Sequence, residues 1–265
     1  MNLDYPSILR LVMSLGVLLL MLSFESFWPK RIWETPRIKR LIIHVLISFL
    51  NSLFTRFIVF TPLFFWLHFV RENGWGLSSF LNLHEIWEIV ATVVLFDCLE
   101  YGWHRANHRI PFLWRFHRAH HLDTHLDVTT SLRFHPGELF LSGIVKFFWI
   151  LFWGPSLWGF VIYETVLVAF AQFHHSNIDL PKKIERIVRL IHITPRLHTS
   201  HHTVTLRTRD ANYCIIFSIW DRLFKSFQEP DAEEMKLLGL DRGRSNYLSM
   251  WTFFKSPFVA YEKMD

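Results

Sequence analysis

Cysteine is nearly missing from this chain. Cys98 and Cys214 are the only two in 265 residues, they form no motif, and they exclude a disulfide framework. No HExxH occurs, so a zinc-protease site would lack its general base. No small-residue cleavage site follows the first apolar run, residues 11–24. Pro29, Lys30 and Arg31 come next instead, which favours an uncleaved span over a signal peptide. There is no internal repeat and no low-complexity tract. Acidic residues are also in deficit, 23 against 28 Lys and Arg, for a net charge of +5. In a chain that is 51% hydrophobic and 17% aromatic, with a mean hydropathy of +0.22, that excess fits loops facing anionic lipid. It does not call for nucleic acid as a partner.

The apolar residues come in long runs. Residues 11–24 form the first, and residues 41–70 the second, broken by Asn51, Arg56 and Pro62. A straight helix over 41–70 would be about 45 Å long, more than a bilayer core needs, so this run is a tilted or kinked span, or a span plus an interfacial helix. Asn73, Gly74 and Gly76 mark a turn. Residues 83–103 form the third run, and residues 139–173 a fourth that Gly154 and Pro155 divide into a hairpin. The pattern predicts an all-α fold: a polytopic membrane helical bundle of about four spans or span pairs with a histidine-rich helical cap. The whole chain, 1–265, reads as one domain, with residues 1–96 mainly spans, 97–227 the histidine region, and 228–265 a surface tail. The loop between the first two spans holds Lys30, Arg31, Arg37, Lys39 and Arg40, which places it and both histidine blocks on the cytoplasmic side.

Histidine is the abundant exception, with 16 residues, most of them clustered. His104, His108, His117, His120 and His121 fall within WHRANHRIPFLWRFHRAHH, and His198, His201 and His202 repeat the HxxHH spacing some eighty residues on. Positions i, i+3 and i+4 share a helix face, so three faces each present imidazoles to one centre. One HxxHH is expected by chance in roughly one such chain in twenty, and two in far fewer. A single zinc site needs about four ligands, so eight histidines argue for two metals. Imidazole suits iron, zinc and copper alike, and the spacing does not choose among them.

These segments resemble the fatty acid hydroxylase (sterol desaturase) superfamily of integral-membrane, histidine-box di-iron oxygenases. The resemblance runs over residues 97–227, through DCLEYGWHRANHRIPFLWRFHRAHH, DVTTSLRFHPGE, FHHSNIDLP, TPRLHTSHH and NYCIIFSIWDRLF. It assigns the catalytic metal ligands to His104, His108, His117, His120, His121, His198, His201 and His202. An intermediate box falls on FHHSN, where His175 is the better match and His174 its neighbour. Some members carry a further histidine one turn earlier, where this chain has Phe170. His135, in RFHPGE, matches a motif common among bacterial-type members, as a ligand or a support for one. Asp97, Glu100, Asp123, Asp127, Glu138, Asn212 and Asp221 are candidates to orient imidazoles, Asp97 foremost because it is a carboxylate inside a span. Cys214 stands where Gly is usual, and Lys225-Ser226 where Gly-Thr is usual. His125 has no family counterpart and is expected at the surface, and Trp149, Trp153 and Trp158 are expected at lipid or interfacial faces.

The resemblance implies two Fe ions, with zinc conceivable in a purified or inactive form. It also implies O2 as oxidant and hydroxylation of a lipid C–H bond, as in a monooxygenase of lipid biosynthesis. Desaturation on the same site is the close alternative; a metal-binding membrane transporter and an inactive scaffold are the alternatives of other classes. No cytochrome-like or ferredoxin-like segment is present, so electrons are expected from a separate partner, a cytochrome b5-like protein or a ferredoxin and its reductase.

Overall fold

The computed structural model describes residues 5–264, and every regular element among them is helical. The ten helices that matter here are α1 (Tyr5–Phe27), α2 (Arg37–Thr55), α3 (Thr61–Glu72), α4 (Leu77–Phe80), α5 (Glu85–Arg109), α6 (Pro111–His121), α7 (Pro136–Trp153), α8 (Leu157–His175), α9 (Lys182–Ile191) and α10 (Pro195–His201). The fold is all-α.

Among the described residues four stretches are long and apolar enough to cross a bilayer: Ile8–Phe27, Arg37–Phe80, Pro136–Trp153 and Leu157–His175. The second explains its own excess length. Its first turns pack into the polar cap, where Arg40 binds Asp123 and the ring of His44 meets Thr129 Oγ1 at 2.7 Å. Pro62 would break an ordinary helix, because it has no N–H to donate. Here Arg56–Phe60 widens into a π-helical turn, and the Thr61 hydroxyl donates to the Arg56 carbonyl at 2.7 Å. The helix therefore passes through the proline.

The third apolar run, 83–103, is not among the four. It lies on α5, which also carries Glu85, Glu88, Asp97 and Glu100. Yet α5 runs alongside α8. Glu88 accepts from the Ser156 backbone N–H (3.0 Å) at the start of α8, and the far ends of the two helices each supply histidines to one of two neighbouring imidazole groups. Three of the four acids are satisfied inside the protein: Glu88 by Thr92 and Ser156, Asp97 by Ile216, Phe217 and Trp220, Glu100 by the Tyr163 hydroxyl (3.1 Å). Protein partners, not an apolar composition, let this helix share the depth of α8.

Around Phe96 of α5 the bundle core is aromatic, with Trp149, Phe160 and Tyr163 at ring distances of 5.9, 6.4 and 5.2 Å. This corrects the expectation for Trp149 and Trp153. Both are buried, and the Trp153 indole donates to Thr92 Oγ1 at 2.7 Å; Trp158 is half-buried. At the end of the bundle away from the histidines, Gly154 has φ +69° and lies against Gly76 (φ +93°). A Cβ on Gly76 would come within 2.5 Å of the Gly154 nitrogen, so only glycine fits this crossing.

Chain direction alternates through the bundle. α1, α5 and α8 run toward one end, and α2–α3 and α7 run away from it. The loop after α1 closes that end, with Lys30 on Asp179 (3.0 Å) and Arg31 on the Leu126 carbonyl (3.0 Å). Both histidine blocks and the basic loop thus share one end, as the sidedness argument requires.

Candidate metal centre

Each short cap helix starts with a proline whose missing N–H costs nothing in a first turn: Pro111 for α6 and Pro195 for α10. The HxxHH spacing then turns three imidazoles of each helix inward. α5 and α8 end at the same place and add His104, His108 and His175. The result is two groups of buried imidazoles. His104, His108, His117, His121 and His201 form one, and His120, His175, His198 and His202 the other, with the ligand atoms of each group within 4.8 Å of one another.

The spacing inside these groups is that of coordination. His104 and His121 each place Nε2 3.2 Å from His117 Nε2. His120 and His198 each place Nε2 3.0 Å from His175 Nε2, and His202 sits 3.1 Å from His198. A metal about 2.1 Å from each nitrogen would set neighbouring ligands about 3.0–3.4 Å apart and opposite ones about 4.2 Å apart.

Tautomers sharpen the point. His104 Nδ1 donates to the Tyr213 carbonyl at 2.7 Å, and His117 Nδ1 to Glu138 Oε1 at 2.7 Å. In the neutral rings their Nε2 atoms carry lone pairs, and these face each other at 3.2 Å. The second group repeats the pattern: His120 Nδ1 donates to the Arg133 carbonyl (3.2 Å) and His175 Nδ1 to the Ala171 carbonyl (2.6 Å), with bare Nε2 atoms 3.0 Å apart. His201 Nδ1 donates to the Ala211 carbonyl, which leaves its buried Nε2 with no hydrogen-bond partner; His108 Nε2 has none either. Opposed lone pairs in a dry site repel unless a cation lies between them. Burial, and then the neighbouring imidazoles, push His120, His121, His198, His201 and His202 well below the usual histidine range, into the neutral form that binds metal. The residues present fit metal ions.

Of the histidines put forward as ligands or their supports, two lie outside both groups. His174 lies against His198 with ring centres 3.9 Å apart and the planes tilted by 40°, and its Nδ1 is unpartnered. His135 caps α7 by accepting from the Gly137 N–H (3.0 Å), and its Nε2 meets the Phe254 carbonyl (3.2 Å). It supports the helix that carries Glu138 rather than an imidazole. Phe170 faces His192 at a ring distance of 4.9 Å, away from the groups.

Of the acidic and amide candidates, Glu138 alone touches a grouped imidazole. Asp97 does not. It clamps the chain beyond the second block, accepting from Ile216 N, Phe217 N and the Trp220 indole at 3.1, 3.0 and 2.8 Å. Asn212 (φ +55°) ties Ser200 of α10 to Gln228, and Asp221 accepts from Tyr213 N, Cys214 N and Ser226 Oγ. Asp123 and Asp127 grip Arg40 at 2.7 and 2.8 Å, all three side chains fully buried. Burial would raise the Asp123 carboxyl, but Arg40 beside it holds it below the usual range. This network fixes the loop whose Arg133 carbonyl orients His120. His125 is buried in that loop, contrary to its expected surface position, and its carbonyl accepts from Arg40. Arg40, Asp210 (3.3 Å from His108 Nδ1) and the backbone carbonyls of Ala171, Ala211 and Tyr213 were not foreseen. Asp210 is close in sequence to the second block and could have been flagged; carbonyls carry no residue-type signal.

A family model described as fatty acid hydroxylase matches residues 89–226, just over half of the chain. An ornithine lipid hydroxylase of Rhizobium tropici is 29% identical over 58% of this chain and 45% of its own length. An alkylglycerol monooxygenase of Homo sapiens is 27% identical over 72% of this chain and 40% of its own, and a lathosterol oxidase of Mus musculus 27% over 62% and 50%. The chain thus spans half or less of the length of these relatives. No solved structure matches it.

Proposed function

Because the chain belongs to the fatty acid hydroxylase family, we propose that it is a membrane-bound oxygenase that hydroxylates a lipid C–H bond with O2 and electrons from a separate donor. Two iron ions, one per imidazole group, are the cofactor of this reading, with the groups on the cytoplasmic side. The observation that carries it is the pair of opposed imidazole lone pairs, 3.2 Å apart in one group and 3.0 Å in the other. When bound, iron would supply the activation of dioxygen that an unreactive C–H bond demands.

The chain's own part is holding, orienting and drying. Five ligand-bearing rings, those of His104, His117, His120, His175 and His201, are locked by Nδ1 hydrogen bonds to carbonyls or to Glu138 at 2.6–3.2 Å. All nine rings are at most 9% exposed. Glu138, accepting from His117, makes that imidazole a stronger donor. The bundle beneath gives a lipid an apolar approach.

The names of the ornithine lipid hydroxylase and alkylglycerol monooxygenase relatives support hydroxylation of a lipid with a polar headgroup. The Rhizobium relative, with the RFHPGE segment, also supports placement among bacterial-type members. A lathosterol oxidase among the relatives keeps desaturation as the second reading. The closed, buried groups speak against an ion path. A cytochrome b5-like protein or a ferredoxin with its reductase would deliver the electrons. The test is lipid mass spectrometry of cells with and without the gene. Gain of one oxygen in a lipid supports hydroxylation, loss of two hydrogens supports desaturation, and an unchanged lipidome from cells that hold metal-loaded protein contradicts both.

A further inference from the structure

Helix α9 is amphipathic the wrong way round for a protein surface. Its sequence, KKIERIVRLI, gathers most aliphatic positions on one side and most charged ones on the other, and such a helix ordinarily turns its aliphatic face to the core. Here the inward anchors are polar. Glu185 is buried and accepts from the Thr194 hydroxyl at 2.6 Å. Arg189 binds both carboxylate oxygens of Glu229 at 2.9 and 2.8 Å and lies over the Phe227 ring. These contacts fix the rotation of the helix and leave Ile184, Ile187, Leu190 and Ile191 outward, 50–68% exposed. Lys182, Lys183 and Arg186 are exposed along one flank of that face.

At ten residues, about 15 Å, α9 is too short to span a bilayer. It follows α8, whose last turn reaches the imidazole groups, and so lies at the level where the bundle leaves the membrane. A later short helix, Ile219–Leu223, extends the same surface: Ser218 and Arg222 bond to carbonyls of α9, while Ile219 and Leu223 are 53% and 61% exposed. A row of aliphatic side chains flanked by cations is matched by a bilayer surface bearing phosphate headgroups.

We propose that α9 lies in the plane of the membrane surface, with Ile184, Ile187 and Ile191 in the acyl region and Lys182, Lys183 and Arg186 among anionic phospholipid headgroups, and so seats the metal-bearing cap on acidic lipid. This rests on the membrane reading of the bundle and is independent of the oxygenase reading.

The test uses the full chain in vesicles of phosphatidylcholine, with and without phosphatidylglycerol. Nitroxide labels are placed singly through Ile187→Cys and Lys182→Cys in a Cys98→Ser background. The label at 187 should collide preferentially with O2 and the label at 182 with an aqueous nickel chelate. Phosphatidylglycerol should deepen the label at 187, and Lys182→Gln/Lys183→Gln/Arg186→Gln should abolish that lipid dependence. Three results would each overturn the proposal: a label at 187 open to the nickel chelate, a label shielded from both probes (a second copy or another protein covering the face), or a phosphatidylglycerol effect that survives the triple substitution. Each can be read whether or not the protein turns over.

Discussion

Five imidazoles converge in one group and four in the other, and what holds them from outside differs more than the count. In the larger group two rings lean on carboxylates, His117 on Glu138 and His108 on Asp210. Among the described residues no carboxylate touches a ring of the smaller group. His120 and His175 rest on backbone carbonyls, and the Nδ1 atoms of His198 and His202 have no hydrogen-bond partner. An imidazole that donates to a carboxylate is the stronger ligand and is held more firmly. The comparison teaches that two sites built from one residue type need not be equal: the larger group should keep its metal longer, and the smaller should exchange first.

The most damaging change removes a ring. His201→Ala should cost the larger group its metal and His120→Ala the smaller, each abolishing turnover while the protein still expresses; metal analysis should show the loss falling on one group at a time. Full occupancy in both variants would sink the ligand assignment. Next comes the frame. Arg40→Met leaves Asp123 and Asp127 buried without their cation, and should lower stability by about 3–5 kcal/mol, read as a lower melting temperature in detergent.

The carboxylates test the inequality itself. Glu138→Gln and Asp210→Asn should weaken metal binding in the larger group about 10–100-fold and leave the smaller group unchanged. Equal weakening of both groups would contradict the comparison. Acid should act on both. The folded-state values of His121, His198 and His202 lie below the unfolded value of about 6.5, so the folded cage binds fewer protons than the open chain. Stability and metal retention are therefore full above that value and fall as pH drops below it; retention followed by metal analysis between pH 8 and 5 checks the direction. The smallest effect is expected at Lys225, which holds φ +57°, a backbone region that favours Gly. Lys225→Gly should change stability by no more than about 1 kcal/mol, because relief of strain is offset by added freedom in the unfolded chain.

Much of this was legible because it repeats. HxxHH twice, and apolar runs of span length, are periodic signals that local geometry turns directly into faces and helices. The all-α bundle and the gathering of the boxes at one end follow from them. What was not legible depends on long-range partners. Asp97 looked like a support for imidazoles, since a carboxylate in an apolar run demands a partner; the partner turned out to be the backbone at 216–217. His135 and His174 carry the right ring, but the first caps α7 and the second packs against His198 from outside the groups. The split of nine rings into five and four depends on how α6 and α10 are rolled, and no spacing within either helix states that. Trp149 and Trp153 read as lipid-facing by type, yet α5 covers them. The departures at Cys214 and Ser226 became legible only with Asp221 in view, which both residues contact.

The inequality of the two groups is tested most directly by metal released per protein during stepwise chelation, followed in the unaltered chain and in Glu138→Gln. The account predicts two equivalents leaving in two phases, the first from the group of His120, His175, His198 and His202, with the phases drawn together by Glu138→Gln. A single equivalent, or two leaving together and indifferent to Glu138, would contradict it.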